Sequence, residues 1–241
     1  MINITIVCCC NNLQQFKEFE NSLKSQTEEY KLVLIDNTNS RFKSCSEAFN
    51  SVLGQIETKY VIFSHQDIIL DSRDMLKNFV KYLDKIGEYD ILGVAGASNK
   101  KAHVMTNIRC TQTNTIAGQN RVNGIEECDT LDECFFAGSL KNFVENPFDE
   151  KVCNNWHLYA VDRCLNAISN GYKVYVCDVP LIHNSKGKIN HEYNVGFFRL
   201  SKKYDKTISY ISTTCASAGT SWKSRIWSYI KREISISLGR Y

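Results

Sequence analysis

The stretch Tyr60-Val-Ile-Phe-Ser-His65-Gln-Asp67-Ile-Ile-Leu70 decides the fold. Its first half is a short run of β-branched and aromatic residues, which predicts a buried strand. The run ends in an imidazole, an amide and a carboxylate, at His65, Gln66 and Asp67. Because ligands of open α/β sheets bind at the carboxyl ends of the strands, this ending predicts a site for a divalent cation held against a phosphate. The alternative is a polar strand end followed by an ordinary turn.

Two earlier segments also consist of an apolar run that ends in polar residues. Asn3–Cys8 leads into Cys10 and Asn11, and Lys31–Asp36 leads into Asn37. Apolar residues at helical spacing separate the three strands, so the order is β-α-β-α-β, which predicts a parallel sheet with right-handed crossovers. That topology places all three polar strand ends along one rim of the sheet.

Eight segments of the chain resemble the glycosyltransferase-2-like family, whose enzymes have the nucleotide-diphosphosugar transferase (GT-A) fold. They follow the family's order over roughly residues 3 to 190 and are Leu34–Thr38, Glu47–Asn50, Phe63–Ile68, Gly93–Gly96, Thr130–Glu133, Phe148–Glu150, Trp156–Asp162 and His183–Ser185. The chain is most similar to a bacterial subgroup in which His-Gln-Asp replaces the usual Asp-X-Asp. The resemblance implies an α/β fold with a Rossmann-like, mostly parallel central sheet flanked by helices. Since His65 stands where the first acid is expected, a two-carboxylate metal clamp cannot be assumed.

The resemblance also implies an activity, which is transfer of a sugar from a nucleoside-diphosphate sugar to an acceptor hydroxyl. The acceptor would be a glycan, a glycolipid or a glycoprotein. The reaction would be inverting and metal-dependent, and it would belong to bacterial surface glycan or glycoprotein biosynthesis.

Site residues follow from the resemblance and from the strand ends. The donor is expected to contact residues at or near the rim, which are Cys10, Asn11, Asp36, Asn37, Asn50, His65 and Gln66. Asp67 and His183 are expected to hold Mn²⁺ or Mg²⁺, and Mn²⁺ accepts imidazole more readily. Asp162 matches the family's general base, which takes the acceptor proton, and His157 is predicted to contact acceptor or phosphate. The alternative for both is a helix border with a solvated side chain.

One glycosyltransferase domain over residues 1–205 and a tail over residues 206–241 are predicted. Residues 1–96 would bind the nucleotide sugar, and residues 97–205 would bind the acceptor. Residues 97–127 have no clear periodicity, which predicts a long functional loop.

Two further elements are expected in the second half. Thr130–Phe136 predicts a strand with the adjacent acids Asp132 and Glu133, of which one would face the site. Asn154 and Asn155 predict a helix start, and Gly171 predicts its end.

Composition limits the class of protein. The chain has 241 residues, 23% charged residues and a formal net charge of +3, which is too mild to predict a nucleic-acid-binding protein. No apolar run is long enough to span a membrane, and no signal peptide is expected. The eleven cysteines lack Cys-x-x-Cys spacing, which favours free thiols in a cytoplasmic protein over zinc or disulfides.

The tail predicts an amphipathic basic helix. Trp222, Ile226, Ile230 and Ile234 form an apolar stripe at steps of four, among basic residues and one acid, Glu233. Such a helix suits peripheral contact with an anionic membrane surface, and equally suits packing on its own domain or on a second subunit.

Rival functions from other classes stay open. A metal-dependent hydrolase would use His65, Asp67, His157 and His183 around a metal-bound water, although no His-x-x-x-His spacing occurs. A sugar-phosphate nucleotidyltransferase needs a glycine-rich loop after the first strand, where this chain has no glycine. A non-catalytic nucleotide-sugar-binding module would keep the binding residues without turnover.

Overall fold

The structure is a computed structural model that describes residues 2–99, 103–110, 117–118, 120–184 and 189–240. Fifteen strands are found in these ranges: β1 Ile4–Cys10, β2 Lys31–Asp36, β3 Tyr60–Ser64, β4 Ile68–Ile69, β5 Ile91–Gly93, β6 Ala95–Ser98, β7 His103–Thr106, β8 Arg109–Cys110, β9 Ile125–Cys128, β10 Thr130–Leu131, β11 Phe135–Ser139, β12 Val174–Cys177, β13 Ile182–His183, β14 Tyr210–Ser212 and β15 Ser217–Gly219. The same ranges contain seven helices: α1 Leu13–Lys24, α2 Cys45–Leu53, α3 Met75–Leu83, α4 Leu140–Glu145, α5 Tyr159–Ser169, α6 His191–Lys203 and α7 Trp222–Ser237.

A seven-stranded sheet forms the centre, in the order β2-β1-β3-β11-β5-β12-β9. β2, β1 and β3 pair in parallel, as do β5 and β12, whereas β11 and β9 run antiparallel to their neighbours. Five of the seven strands therefore share one direction, and the predicted mostly parallel α/β sheet is confirmed.

Helices cover both faces of this sheet because its strands are apolar on both sides. In β3, Val61 and Phe63 join a core with α2, α4, α5 and α6, while Tyr60 and Ile62 join a second core with α1 and α3. Phe63 contacts several aromatic rings, with the Phe49 centroid at 4.6 Å. Burial of each such side chain stabilises the fold by roughly 1.5–3 kcal/mol, so the ends of β1, β2 and β3 are held in a rigid frame.

Smaller sheets carry residues to the rim of the central sheet. β13 pairs with β4 and β8, and this register sets His183 opposite Ile68, directly after Asp67. The segment 97–127, predicted as a loop, contains the strands β7 and β8 and most of β9, together with the end of β6. Residues 100–102, 111–116 and 119 of this segment lie outside the described residues.

The start of α5 differs from the prediction. The helix ends as expected, since Gly171 has a φ of +81°, but it begins at Tyr159 rather than near Asn154 and Asn155. The Asn155 side chain instead accepts a hydrogen bond from the His157 amide at 2.9 Å, which stabilises a turn. Leu158 then enters the helix with a left-handed φ of 68°.

The tail forms a hairpin and a helix. β14 and β15 pair antiparallel, and α7 packs against α6. In the described part of the chain, we find no helix that combines the length and the apolar character needed to cross a membrane.

Candidate active site

Three side chains that can bind a metal ion meet beyond the end of β3. One ligand atom from each of His65, Asp67 and His183 lies within 4.8 Å of the others. His183 Nε2 is 3.4 Å from Asp67 Oδ1, and His65 Nδ1 is 4.0 Å from the same oxygen. Two imidazoles and one carboxylate form a donor set that suits a divalent transition metal. We call this group the His-Asp-His cluster.

Electrostatics keep the Asp67 carboxylate ionised. Although burial raises its pKa, the hydrogen bond and charge of His183 and the charge of His65 lower the pKa of Asp67 to about 2. Burial lowers the pKa of His183, but Asp67 more than reverses this, so the pKa of His183 lies above its ordinary value. Burial and the neighbouring His183 lower the pKa of His65. His65 Nε2 lies 3.0 Å from the Tyr159 hydroxyl, which orients the ring with Nδ1 toward Asp67.

A cavity of about 220 Å³, the smaller cleft, lies on one side of the cluster. Its lining includes the predicted residues Asn11, Asn37, His65, Gln66 and Asp67. Gln66 fixes the end of β1 through two hydrogen bonds to Asn11. Its Oε1 accepts one from the Asn11 backbone amide at 3.0 Å, and its Nε2 donates one to Asn11 Oδ1 at 2.7 Å. The rim of the cleft is therefore a preorganised polar edge.

Asp36 ends β2 and Asn37 follows it, next to this edge. The Asn37 amide donates to the Cys10 carbonyl at 2.7 Å, and the Asn37 side chain holds the Phe42 backbone. Asp36 is exposed, and hydrogen bonds from the Thr38 amide and hydroxyl lower its pKa. The Asp36 carboxylate is thus ionised and open to a ligand beside the smaller cleft.

Three of the predicted donor contacts, Asp36, Cys10 and Asn50, are not in the lining of either cleft. Cys10 faces the opposite core, because side chains alternate along β1, and Cys9 lines the smaller cleft in its place. The Asn50 side chain accepts a hydrogen bond from the Phe148 backbone amide at 3.0 Å and donates one to the Glu150 carboxylate at 2.8 Å. These contacts give Asn50 a structural role in linking α2 to the Phe148 segment.

A cavity of about 590 Å³, the larger cleft, lies on the other side of the cluster. His65 and Trp156 line both clefts, so the two meet at the His-Asp-His cluster. His157 lines the larger cleft, as do Asp132 and Glu133. Burial lowers the pKa of His157, which keeps its imidazole neutral.

Asp132 and Glu133 both line this cleft, although one was expected to point away. The predicted strand Thr130–Phe136 is interrupted: β10 ends at Leu131 and β11 begins at Phe135. The Cys134 amide donates to Asp132 at 3.0 Å, which stabilises a turn in which strand alternation no longer applies.

The two acids have opposite pKa shifts. Burial raises the pKa of Asp132, but His183 and a 2.7 Å hydrogen bond from Thr214 lower it below its usual value. Burial, together with the charge of Asp132, raises the pKa of Glu133 to about 8. Glu133 accepts a hydrogen bond from the Leu158 amide, and Leu158 has a strained left-handed backbone. A carboxyl group with a pKa near neutrality in a cleft is a candidate general base.

Asp162, predicted as the base, lies elsewhere. It is buried on α5, is not among the residues that line the two clefts, and accepts hydrogen bonds from Lys203 at 2.7 Å and the Tyr204 hydroxyl at 3.0 Å. Burial raises its pKa, and Lys203 reverses this only in part. Because α5 begins at Tyr159, the Asp162 side chain faces α6 rather than the larger cleft. These contacts favour a structural role.

We expect Asp162→Ala to lower the free energy of unfolding by about 2 kcal/mol, because it removes the shared acceptor of Lys203 and Tyr204. Asp162→Asn should cost less, since the amide oxygen still accepts these hydrogen bonds. Denaturant titration of both variants measures the difference. The matched control Asp149→Ala removes the other, more exposed partner of Lys203 and should cost about 1 kcal/mol. If both Asp162 variants are as stable as the unaltered chain and both lose activity to the same extent, Asp162 is the base after all.

The chain matches a protein-family model over most of its length. The model described as "Glycosyltransferase like family" matches residues 5–208. A protein of Fuscovulum blasticum described as "ATP synthase subunits region ORF 6" is 26% identical over 159 residues, covering 64% of this chain and 62% of that protein.

Of the eight segments that carry the family resemblance in the sequence, His183–Ser185 is only partly described, because Ser185 lies outside the described residues.

Solved structures share the fold. S. aureus TarS 1–349 in complex with UDP-GlcNAc has a TM-score of 0.60 at 15% identity, with 85% of this chain and 66% of that chain covered. The mannosyltransferase PcManGT from Pyrobaculum calidifontis, in complex with GDP-Man and Mn²⁺, has a TM-score of 0.55 at 13% identity, with 85% and 62% covered. GalNAc-T7 with UDP, GalNAc and Mn²⁺ has a TM-score of 0.60 at 8% identity, with 86% and 49% covered. The predicted GT-A fold is confirmed, and the chain spans less than two thirds of the length of each of these relatives.

Proposed function

Because the chain belongs to the glycosyltransferase-like family, we propose that it transfers a sugar from a nucleoside-diphosphate sugar to an acceptor hydroxyl. The observation that carries the proposal is the His-Asp-His cluster at the junction of two clefts. Sugar transfer needs a donor and an acceptor to meet at one carbon atom, with a charged group beside the departing diphosphate. Two clefts that share His65 and Trp156 meet this requirement.

The donor occupies the smaller cleft in this proposal. Asp36 and Asn37 contact the ribose and the nucleobase. The polar edge formed by Asn11 and Gln66 contacts the part of the nucleotide between the ribose and the diphosphate. This orientation brings the diphosphate to Asp67. Two structural relatives that were solved with UDP-GlcNAc or GDP-Man support a nucleotide-sugar donor.

The His-Asp-His cluster would hold a divalent cation. Its two imidazoles favour Mn²⁺ over Mg²⁺, which prefers an all-oxygen shell. Two relatives solved with Mn²⁺ support this choice. When bound, the cation supplies Lewis-acid neutralisation of charge on the leaving diphosphate. His65 and His183 must be neutral to act as ligands, and Tyr159 and Asp67 orient them.

The acceptor occupies the larger cleft, and Glu133 is the general base. Its ionised carboxylate takes the proton of the acceptor hydroxyl as the oxygen attacks the anomeric carbon. The Leu158 amide holds the carboxylate in place. His157 contributes a hydrogen bond to the acceptor. A single base on the face opposite to the leaving group predicts inversion of configuration. The cytoplasmic location and the role in surface glycan synthesis remain predictions.

A binding experiment tests the proposal. We expect micromolar affinity for a nucleoside diphosphate or its sugar when UDP, GDP, dTDP and CMP derivatives are screened by calorimetry with Mn²⁺, and clearly weaker affinity with EDTA. The donor that binds should then transfer its sugar to simple sugar acceptors. Release of free sugar that no acceptor suppresses would indicate a hydrolase, and binding without any turnover would indicate a binding module. No binding of any nucleotide would contradict the proposal.

A further inference from the structure

Helix α7 packs on the protein through its cationic residues. Arg225 and Arg232 are its two buried side chains among the described residues. Arg232 donates to Asn194 at 2.6 Å and lies over the Phe197 ring at 4.3 Å. Arg225 donates to Asp205 at 3.2 Å. Two basic residues of the predicted amphipathic helix therefore hold it against α6 and the residues that follow α6.

The opposite face of α7 is apolar and exposed. Five large side chains are between 46% and 69% exposed, namely Trp222, Trp227, Ile230, Ile234 and Leu238. The last four follow helical spacing and form one stripe, which we call the outer stripe. Exposed apolar patches of this kind, bordered by polar residues, mark interaction sites.

The charged side chains that α7 exposes beside the outer stripe have one sign. Lys223 and Lys231 are exposed on the same side of the helix. Glu233, the single acid of α7, is turned to α6, where Asn194 donates to it at 2.6 Å and His191 lies 3.1 Å away. The outward surface thus combines tryptophan and aliphatic side chains with two lysines and no carboxylate from α7.

We propose that the outer stripe binds the surface of an anionic lipid bilayer. Tryptophan and aliphatic side chains enter the boundary between head groups and acyl chains, and Lys223 and Lys231 contact lipid phosphates. A second copy of the chain fits less well. A symmetric pairing of two α7 helices would bring lysines together, and the stripe offers on the order of a few hundred Å², below the ~800 Å² per partner of a stable dimer.

Flotation of the full chain with lipid vesicles tests the proposal. We expect at least about tenfold stronger partitioning onto phosphatidylcholine vesicles that contain phosphatidylglycerol than onto pure phosphatidylcholine, because each lysine near an anionic surface adds to the attraction. Lys223→Gln with Lys231→Gln should remove this preference. Equal binding of the unaltered chain to both vesicles, or to neither, would overturn the proposal.

The double variant Trp227→Ser with Ile234→Ser tests the apolar part. Both side chains are exposed, so the fold should persist, and binding to anionic vesicles should fall at least about tenfold. Val144→Ser is the matched control, since Val144 is 53% exposed on α4, and it should bind as the unaltered chain does. Light scattering without lipid completes the test: a dimer that the double variant abolishes would assign the stripe to a second copy.

Discussion

Replacing Glu133 by glutamine is expected to lower the rate of sugar transfer by about 10²- to 10⁴-fold, the usual contribution of a positioned general base. The glutamine would keep the shape of the side chain and an oxygen for the Leu158 amide, but it cannot take a proton. Donor affinity should stay the same, because Glu133 lines the larger cleft only. Initial rates and calorimetric donor binding for the same preparation separate the two effects.

The pH dependence identifies the base. If Glu133 is the base, its carboxylate form is the active one, so the rate should rise with pH up to the Glu133 pKa of about 8 and level off above it. Asp132→Asn removes the negative neighbour that raises this pKa, so the rise should move to lower pH. A pH profile that stays in place in Asp132→Asn would argue against Glu133 as the titrating group.

Stability gives a control that is independent of activity. The pKa of Glu133 is higher in the folded protein, at about 8, than its ordinary value of 4.5. Folding therefore takes up a proton between these values, and the free energy of unfolding should decrease as pH rises from about 4.5 to 8. Glu133→Gln should lose this contribution and be at least as stable at pH 9. A Glu133→Gln variant that is misfolded would instead be less stable than the unaltered chain at pH 9.

His157→Asn is the matched variant on the same cleft. We expect weaker acceptor binding with a much smaller change in the maximal rate, because His157 is assigned a contact rather than proton transfer. If His157→Asn loses 10²-fold or more while Glu133→Gln keeps its rate, the base is His157.

Much of the fold was predictable because the local sequence patterns agree with the topology of the sheet. Buried apolar runs that end in polar residues predicted β1, β2 and β3 and the rim where they end. The His65–Asp67 pair was visible because both residues follow one strand. His183 lies more than a hundred residues later, and only the family resemblance predicts it as a partner of Asp67. The local sequence does not reveal the pairing of β13 with β4 that brings the two residues together.

The acids of the larger cleft were harder to assign. The pattern of Thr130–Phe136 predicted a continuous strand, and strand alternation would have excluded one of Asp132 and Glu133. The Asx turn at Asp132 overrides this alternation. The position of Asp162 in a family motif predicts it as the base, but a motif does not tell which way a helical side chain faces. The left-handed Leu158 sets that rotation, and a leucine gives no sequence signal for it.

The tail shows the same limit. The apolar stripe and the basic residues of α7 are evident in the sequence, but which face packs inward depends on hydrogen-bond partners in α6 and directly after it. Asn194 and Asp205 accept hydrogen bonds from Arg232 and Arg225, so these two cationic side chains are buried, and five large apolar side chains remain exposed. Amphipathic periodicity alone would have predicted the reverse.

Replacing Asp67 by asparagine is expected to abolish the effect of Mn²⁺ on donor binding and to lower the transfer rate on the order of 10³-fold. Asp67 supplies the single carboxylate of the His-Asp-His cluster, and its low pKa keeps it ionised throughout the working pH range. An amide in its place keeps the size but lacks the charge. Calorimetry with Mn²⁺ and with EDTA, and electron paramagnetic resonance of Mn²⁺ without nucleotide, measure the loss directly.

Asp36→Ala is the matched variant for the nucleoside end of the same donor. Asp36 is exposed beside the smaller cleft and outside the cluster, so its loss should weaken donor binding by the same factor with Mn²⁺ and with EDTA. Asp67→Asn should weaken only the Mn²⁺-dependent part. The two patterns of lost affinity differ because the proposal assigns Asp36 to the nucleoside and Asp67 to the cation. If the unaltered chain binds donor equally with and without EDTA, the cluster does not hold a catalytic metal, and Asp67 acts on the diphosphate through His183 alone.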